Sequence, residues 1–202
     1  RTDVPLTVLK VPPRYTVPPG PIDAALTTPL IVGAKLGSTA PVAGSNAAGI
    51  SGRRGARNPD IGPIAYRHLS DMVRQQSARH TTKTAFTQVM PNGMAGEMTY
   101  EQVDRLSDDF AAYLRGKLAL DPGDRVAVQM PNSLAYPVVL FGVLKAGCVA
   151  VNTNPLYTPP EMVHQFTDSG ARVLVISDLF ADRLPAVLPR TPRIENVVTV
   201  RI

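Results

Sequence analysis

Residues 121–171 read DPGDRVAVQMPNSLAYPVVLFGVLKAGCVAVNTNPLYTPPEMVHQFTDSGA, and the order of apolar and polar residues in this stretch decides the fold. Pro122-Gly123 makes a turn. RVAVQM at 125–130 then alternates apolar and polar side chains, as a strand does, and stops at Pro131. The spacing predicts a helix over residues 133–146, with Asn132 or Ser133 as cap, Lys145 in the last turn and Gly147 as the stop. The short apolar run CVAV at 148–151 is expected to be a strand buried on both faces of a parallel sheet. Thr158-Pro159-Pro160-Glu161 reads as a helix start: a threonine cap, proline at the first helical position and glutamate three residues after the cap.

The flanking sequence extends this strand–helix–strand–helix unit in both directions. Upstream, residues 64–80 carry Leu69, Met72, Val73 and Ala78 at helical spacing, and TAFTQV at 84–89 reads as a strand before a Pro91-Asn92-Gly93 turn. Thr99 and Gln102 form a capping box, and the helix they open places Val103, Leu106, Phe110, Tyr113 and Leu114 on one face. The other face carries Asp104, Arg105, Asp108, Asp109 and Lys117 and is expected to be solvated, because nothing in the sequence pairs or desolvates its carboxylates. Downstream, residues 172–177 read as a buried strand, 178–188 as a short helix and 197–200 as a final strand. The fold class is α/β: a partial parallel sheet layered by helices, with the final strand expected at an exposed apolar edge. That pattern reads as the front of a larger domain.

Composition separates the beginning of the chain from the rest. Of 202 residues with net charge +5, the first 63 hold ten prolines and eight glycines, and their seven basic and three acidic residues supply four of the five positive charges. Residues 1–61 are therefore expected to be a flexible Pro/Gly-rich leader, and 62–202 the folded part. A nucleic-acid partner is not expected, since the folded part has no Lys/Arg cluster interleaved with aromatics. Gly33-Ala34-Lys35-Leu36-Gly37-Ser38-Thr39 has the composition of a phosphate loop in the wrong order, its lysine preceding the closing glycine. Cys148 is the single cysteine, which excludes a disulfide framework and fits a reducing compartment. No stretch is long and apolar enough to span a membrane.

The segments PGDRVA (122–127), MPNS (130–133), GVLKAG (142–147) and NTNPLYTP (152–159) together closely resemble the amino-terminal part of AMP-forming acyl-CoA synthetases. The resemblance covers residues 62–202. The NPLYTP segment, with Glu161-Met162 and Asp168-Ser169-Gly170-Ala171 behind it, favours the bacterial long-chain fatty-acid–CoA ligases. It implies a cytoplasmic enzyme, also peripheral at the inner face of the membrane, that uses ATP, Mg2+ and coenzyme A to turn a long-chain fatty acid into acyl-AMP and then acyl-CoA. A homo-oligomer is compatible with it. The family's phosphate loop, Thr-Glu magnesium motif, ribose-binding aspartate motif and carboxy-terminal lysine have no counterpart in these 202 residues. No catalytic, cofactor-binding or metal-binding residue is therefore carried onto this chain, which alone is expected to be inactive. Two other readings stand beside it: a non-catalytic interaction module of the same ancestry, and a ligase for another carboxylic acid.

Asn152, Asn154 and Tyr157 follow the carboxyl end of a strand, where open parallel sheets bind ligands, and are the candidate border of a substrate pocket. Asn-Pro turn formation and Leu-Tyr packing are the competing explanation. Cys148 has no histidine partner in sequence and reads as a small buried core residue. His68, His80 and His164 lack ligand spacing.

Overall fold

The computed structural model of the chain describes residues 65–89 and 95–201, and the backbone of two strands before them. The strands are β1 (Val4–Lys10), β2 (Thr28–Val32), β3 (Thr84–Val89), β4 (Ala95–Thr99), β5 (Arg125–Gln129), β6 (Val149–Asn152), β7 (Val173–Ser177) and β8 (Asn196–Val200). The helices are α1 (Leu69–His80), α2 (Tyr100–Ala112), α3 (Ala135–Lys145), α4 (Pro159–Ser169) and α5 (Leu184–Val187). One sheet runs β2-β1-β8-β7-β5-β6, and β3 with β4 forms a separate antiparallel hairpin. The central strands β8, β7, β5 and β6 are parallel, as the alternation of strands and helices demands.

The side chains of the sheet sort by the period of two. Val126, Val128, Val173, Val175, Val198 and Val200 pack on one face with α2 and α3, through Leu106, Phe110, Leu114, Val139 and Val143. Ala127, Leu174, Ile176 and Val197 pack on the other with Met162 and Phe166 of α4 and with Leu184 and Val187 of α5. The result is three layers, with every residue of β7 buried. Burying the large side chains, at about 1.5–3 kcal/mol each, drives the assembly.

Caps end the helices largely where expected. Thr99 and Gln102 make both bonds of a capping box at the start of α2, and Thr158 and Glu161 do the same at α4. The cap expected at α3 is corrected, since neither Asn132 nor Ser133 supplies it. The part-buried Leu134 N–H donates to Oε1 of Gln88 on β3 at 3.1 Å instead, a cap delivered from 46 residues away. Gly147 stops α3 with φ +76°, a left-handed conformation that a Cβ would strain, and its carbonyl accepts from Gly123 N–H at 2.8 Å.

Three further expectations are corrected. First, β6 is the sheet's edge rather than an interior strand, with Val149 48% exposed; Cys148 lies just before it, still buried. Second, β8 is not an edge: β1, inside the segment expected as a flexible leader, pairs antiparallel with it, Leu6 opposite Val200, and β2 pairs with β1. Third, the acidic face of α2 is not wholly solvated. The Nζ of Lys145, whose side chain is 1% exposed, lies 2.5 Å from Oδ1 of Asp104 and 3.0 Å from Oδ1 of Asp108. Arg74 of α1 meets Asp108 at 3.2 Å, tying the three helices together. Residues 178–188, expected as one helix, are a 3₁₀ stretch Asp178–Arg183 followed by α5 and another 3₁₀ turn. The Pro91-Asn92-Gly93 turn and the residue 33–39 segment lie outside the described residues.

Candidate functional site

The order of the parallel strands reverses at β5, with β6 added on one side and β7 and β8 on the other. The chain leaves β5 for α3 on one face and leaves β6 for α4 on the opposite face. Loops that diverge in this way at the carboxyl ends of strands open a crevice in α/β sheets. Here that crevice is an open cleft of about 240 Å³ lined by Val128, Met130, Asn132, Tyr136, Asn152, Thr153 and Asn154. Val128 and Met130 bring it an apolar surface. Asparagine amides and the Thr153 and Tyr136 side chains supply its polar groups, and among the described residues no formally charged side chain lines it.

Hydrogen bonds shape this cleft. The Tyr136 hydroxyl lies 3.1 Å from Oδ1 of Asn152, joining α3 to the end of β6. Asn154 Oδ1 accepts from Leu156 N–H at 3.0 Å, an Asx turn that starts the bend at Pro155. Beyond the bend, Arg183 donates to the carbonyls of Pro155 at 2.8 Å and Tyr157 at 2.7 Å, and its guanidinium lies over the Phe180 ring.

Of the three residues expected at a pocket border, the structure brings two to the cleft. Asn152 and Asn154 line it, whereas Tyr157 turns away and packs against the Met162–Phe166 core. Asn132, Tyr136 and Thr153 belong to the cleft and were not anticipated. The carboxyl-end rule that singled out the residues after β6 applies equally to Met130-Pro131-Asn132 after β5, and would have found Asn132. Cys148 stands apart from the cleft, its thiol raised above the usual range first by burial and then by the Asp124 carboxylate. His68 caps α1, its Nδ1 accepting from Asp71 N–H at 3.1 Å. Among the described residues no group of three or more His, Cys, Asp or Glu is placed to hold a metal ion. The magnesium implied by the resemblance therefore finds no fit in them.

Comparison with known proteins gives these observations a context. The AMP-binding enzyme family matches residues 73–202. A long-chain-fatty-acid–CoA ligase of Escherichia coli O6:H1 is 45% identical over 143 residues, which make up 71% of this chain and 24% of the relative. Among solved structures, the anthranilate CoA ligase AuaEII in complex with anthranoyl-AMP superposes with a TM-score of 0.59 and 27% identity, over 65% of this chain and 24% of that one. A Mycobacterium tuberculosis fatty acyl CoA synthetase gives 0.53 and 32%, over 58% and 22%. The chain thus spans about a quarter of the length of the curated relatives it matches.

Proposed function

The chain belongs to the AMP-binding enzyme family, and from that premise we propose that it is the amino-terminal quarter of a long-chain fatty-acid–CoA ligase. The whole enzyme would join a fatty acid to ATP as acyl-AMP, releasing pyrophosphate, and then pass the acyl group to the thiol of coenzyme A. The observation that carries this reading is the 45% identity to a long-chain-fatty-acid–CoA ligase over 143 residues, 71% of this chain. Within such an enzyme this segment serves as scaffold and as one wall of a substrate site. Asn132, Asn152, Asn154 and Tyr136 offer neutral donors and acceptors that orient a bound group without altering its charge. Neutralising the phosphates of ATP is a task for cations, and among the described residues none lines the cleft. That work, and any magnesium, is assigned outside these residues, and no step is routed through the ion here. A cytoplasmic location, peripheral at the membrane's inner face, accords with this substrate. Among the described residues no helix is long and apolar enough to cross a membrane.

The test is to assay the intact ligase carrying this segment with carboxylic acids of graded chain length and with benzoate. Acyl-CoA formation should be greatest with long-chain acids, and a strong preference for the aromatic acid overturns the fatty-acyl assignment. The 202-residue chain by itself is expected to show no fatty-acid-dependent exchange of pyrophosphate into ATP. Exchange by the isolated chain would mean that the chemistry resides here after all.

A further inference from the structure

We infer that Gln129 and Gln165, neither of which lines the cleft, are positioning residues that set its width by holding the main chain of its outer wall. The inference rests on reading the cleft as a substrate site of the proposed ligase.

That wall, residues 152–154, belongs to the edge strand, which among the described residues has a neighbouring strand on one side only. Val149 N–H donates to the Asp124 carbonyl at 2.8 Å and Thr153 N–H to the Val128 carbonyl at 2.9 Å, so the odd-numbered residues face β5. By alternation the Asn152 carbonyl points away from the sheet, where an edge carbonyl ordinarily meets water. Here Nε2 of Gln165, on α4, donates to it at 2.9 Å. Two residues on, the Asn154 carbonyl accepts from Nε2 of Gln129 at 3.2 Å. Gln129 is the last residue of β5, fully buried. Its side chain points to the same side as Ala127, toward the α4 layer, because residues two apart on a strand share a face.

Both glutamines bury their Oε1 without a partner among the described residues. Their amide orientation is therefore set by the carbonyl each donates to, since turning the amide over would press oxygen against oxygen. Gln129, fully buried with one satisfied group, is an expensive way to fill core space, where leucine or methionine would cost less, while Gln165 is half-buried with only its Oε1 enclosed. What the glutamine adds is a fixed distance between the end of β5 and the Asn152–Asn154 segment. With Tyr136 holding the Asn152 side chain from the α3 layer, the wall is clamped from both layers and from the sheet.

Gln129→Met and Gln165→Met test this. Each variant removes a hydrogen bond together with a buried acceptor that had no partner, so the melting temperature should hold or rise. A residue that served stability alone would lower it. In the isotope-labelled 202-residue chain, the side-chain amide resonances of Asn152 and Asn154 should shift and Leu156 N–H should exchange faster in both variants. In the intact ligase, KM for one of fatty acid, ATP or coenzyme A should rise about fivefold, the scale of one lost neutral hydrogen bond, with kcat within about twofold. Unchanged resonances and exchange at residues 152–156 would overturn the proposal, as would three unchanged KM values in an active ligase or a loss of kcat that tracks a lowered melting temperature. If the intact wild-type protein has no ligase activity, the ligase reading fails on its own, and the resonance and exchange measurements still decide whether the glutamines hold the wall.

Discussion

Gly142 lies in α3 where that helix crosses α2, and replacing it by alanine sets two known effects against each other. A Cβ there would stand 2.7 Å from Cδ1 of Phe110, 3.0 Å from Cβ of Phe110 and 3.0 Å from the carbonyl oxygen of Ser107. Phe110 is fully buried, so its ring cannot swing into solvent, and the Ser107 carbonyl belongs to the main chain of α2. The added methyl is accommodated only if the two helices separate by a few tenths of an ångström, which loosens the contact around Leu106, Phe110, Val139 and Val143. Alanine in place of glycine favours the helix by about 1 kcal/mol, while forcing a methyl into a packed core costs about 1–3 kcal/mol. Packing wins, and Gly142→Ala should destabilise the chain by about 1 kcal/mol, or about 2–4 °C in melting temperature for a chain of this size. Urea unfolding followed by circular dichroism should show a lower midpoint at an unchanged slope. Combining the substitution with Phe110→Ala should cost less than the sum of the two, because the alanine removes the Cδ1 atom that stands nearest the added methyl. A Gly142→Ala chain as stable as the wild type, or strict additivity with Phe110→Ala, would refute the close-approach argument.

Three other outcomes follow from the same geometry. Lys145→Met keeps the aliphatic stem but leaves Asp104 and Asp108, 27% and 46% exposed, without their shared cation. Because those carboxylates retain water, the loss should be about 1–2 kcal/mol rather than the larger penalty of a wholly buried pair, and it should persist in high salt because Nζ is enclosed; an unchanged urea midpoint would count against it. The Thr158 hydroxyl and N–H hold the Glu161 carboxyl below its ordinary value of 4.5, so the support it gives α4 is present at neutral pH and fades as pH falls from 4.5 through that lowered value. Amide exchange in the first turn of α4 should accelerate over that window in the wild type and not in Glu161→Gln. Cys148 is buried and its thiol is raised, so alkylation of the native chain should be far slower than in urea, and equal rates would place the thiol at the surface.

How legible the fold was depended on how local its causes are. β5, α2 and α4 could be read because their signals lie within a few residues: the alternation of RVAVQ, Thr99 with Gln102, and Thr158 with Pro159 and Glu161. Three of the misread features have distant causes. Leu134 N–H is capped by Gln88, Asp104 and Asp108 are paired by Lys145, and β8 is covered by β1, each contact linking residues far apart in sequence. The apolar run at 148–151 suits an edge strand as well as an interior one, because periodicity reports a residue's face and says nothing of its neighbours in the sheet. The carboxyl-end rule singled out Asn152 and Asn154, which line the cleft, while Tyr136, in the first turn of α3, carried no signal that distinguishes it from a core aromatic.

The motif GVLKAG, which most directly carries the family resemblance, turns out to be made of packing decisions. Gly142 permits the helix crossing, Val143 fills the core, Lys145 binds two carboxylates of α2, Ala146 is buried and Gly147 takes the left-handed stop. None of these residues reaches the cleft. The motif therefore specifies how α3 sits between α2 and the sheet, a requirement that any ligase built on this scaffold meets whatever acid it activates. The exposed polar side chains that line the cleft stand instead on the loops after β5 and β6. Loop residues such as Asn132 and Asn154 can change without disturbing the α2–α3 crossing, since their side chains lie outside both core clusters.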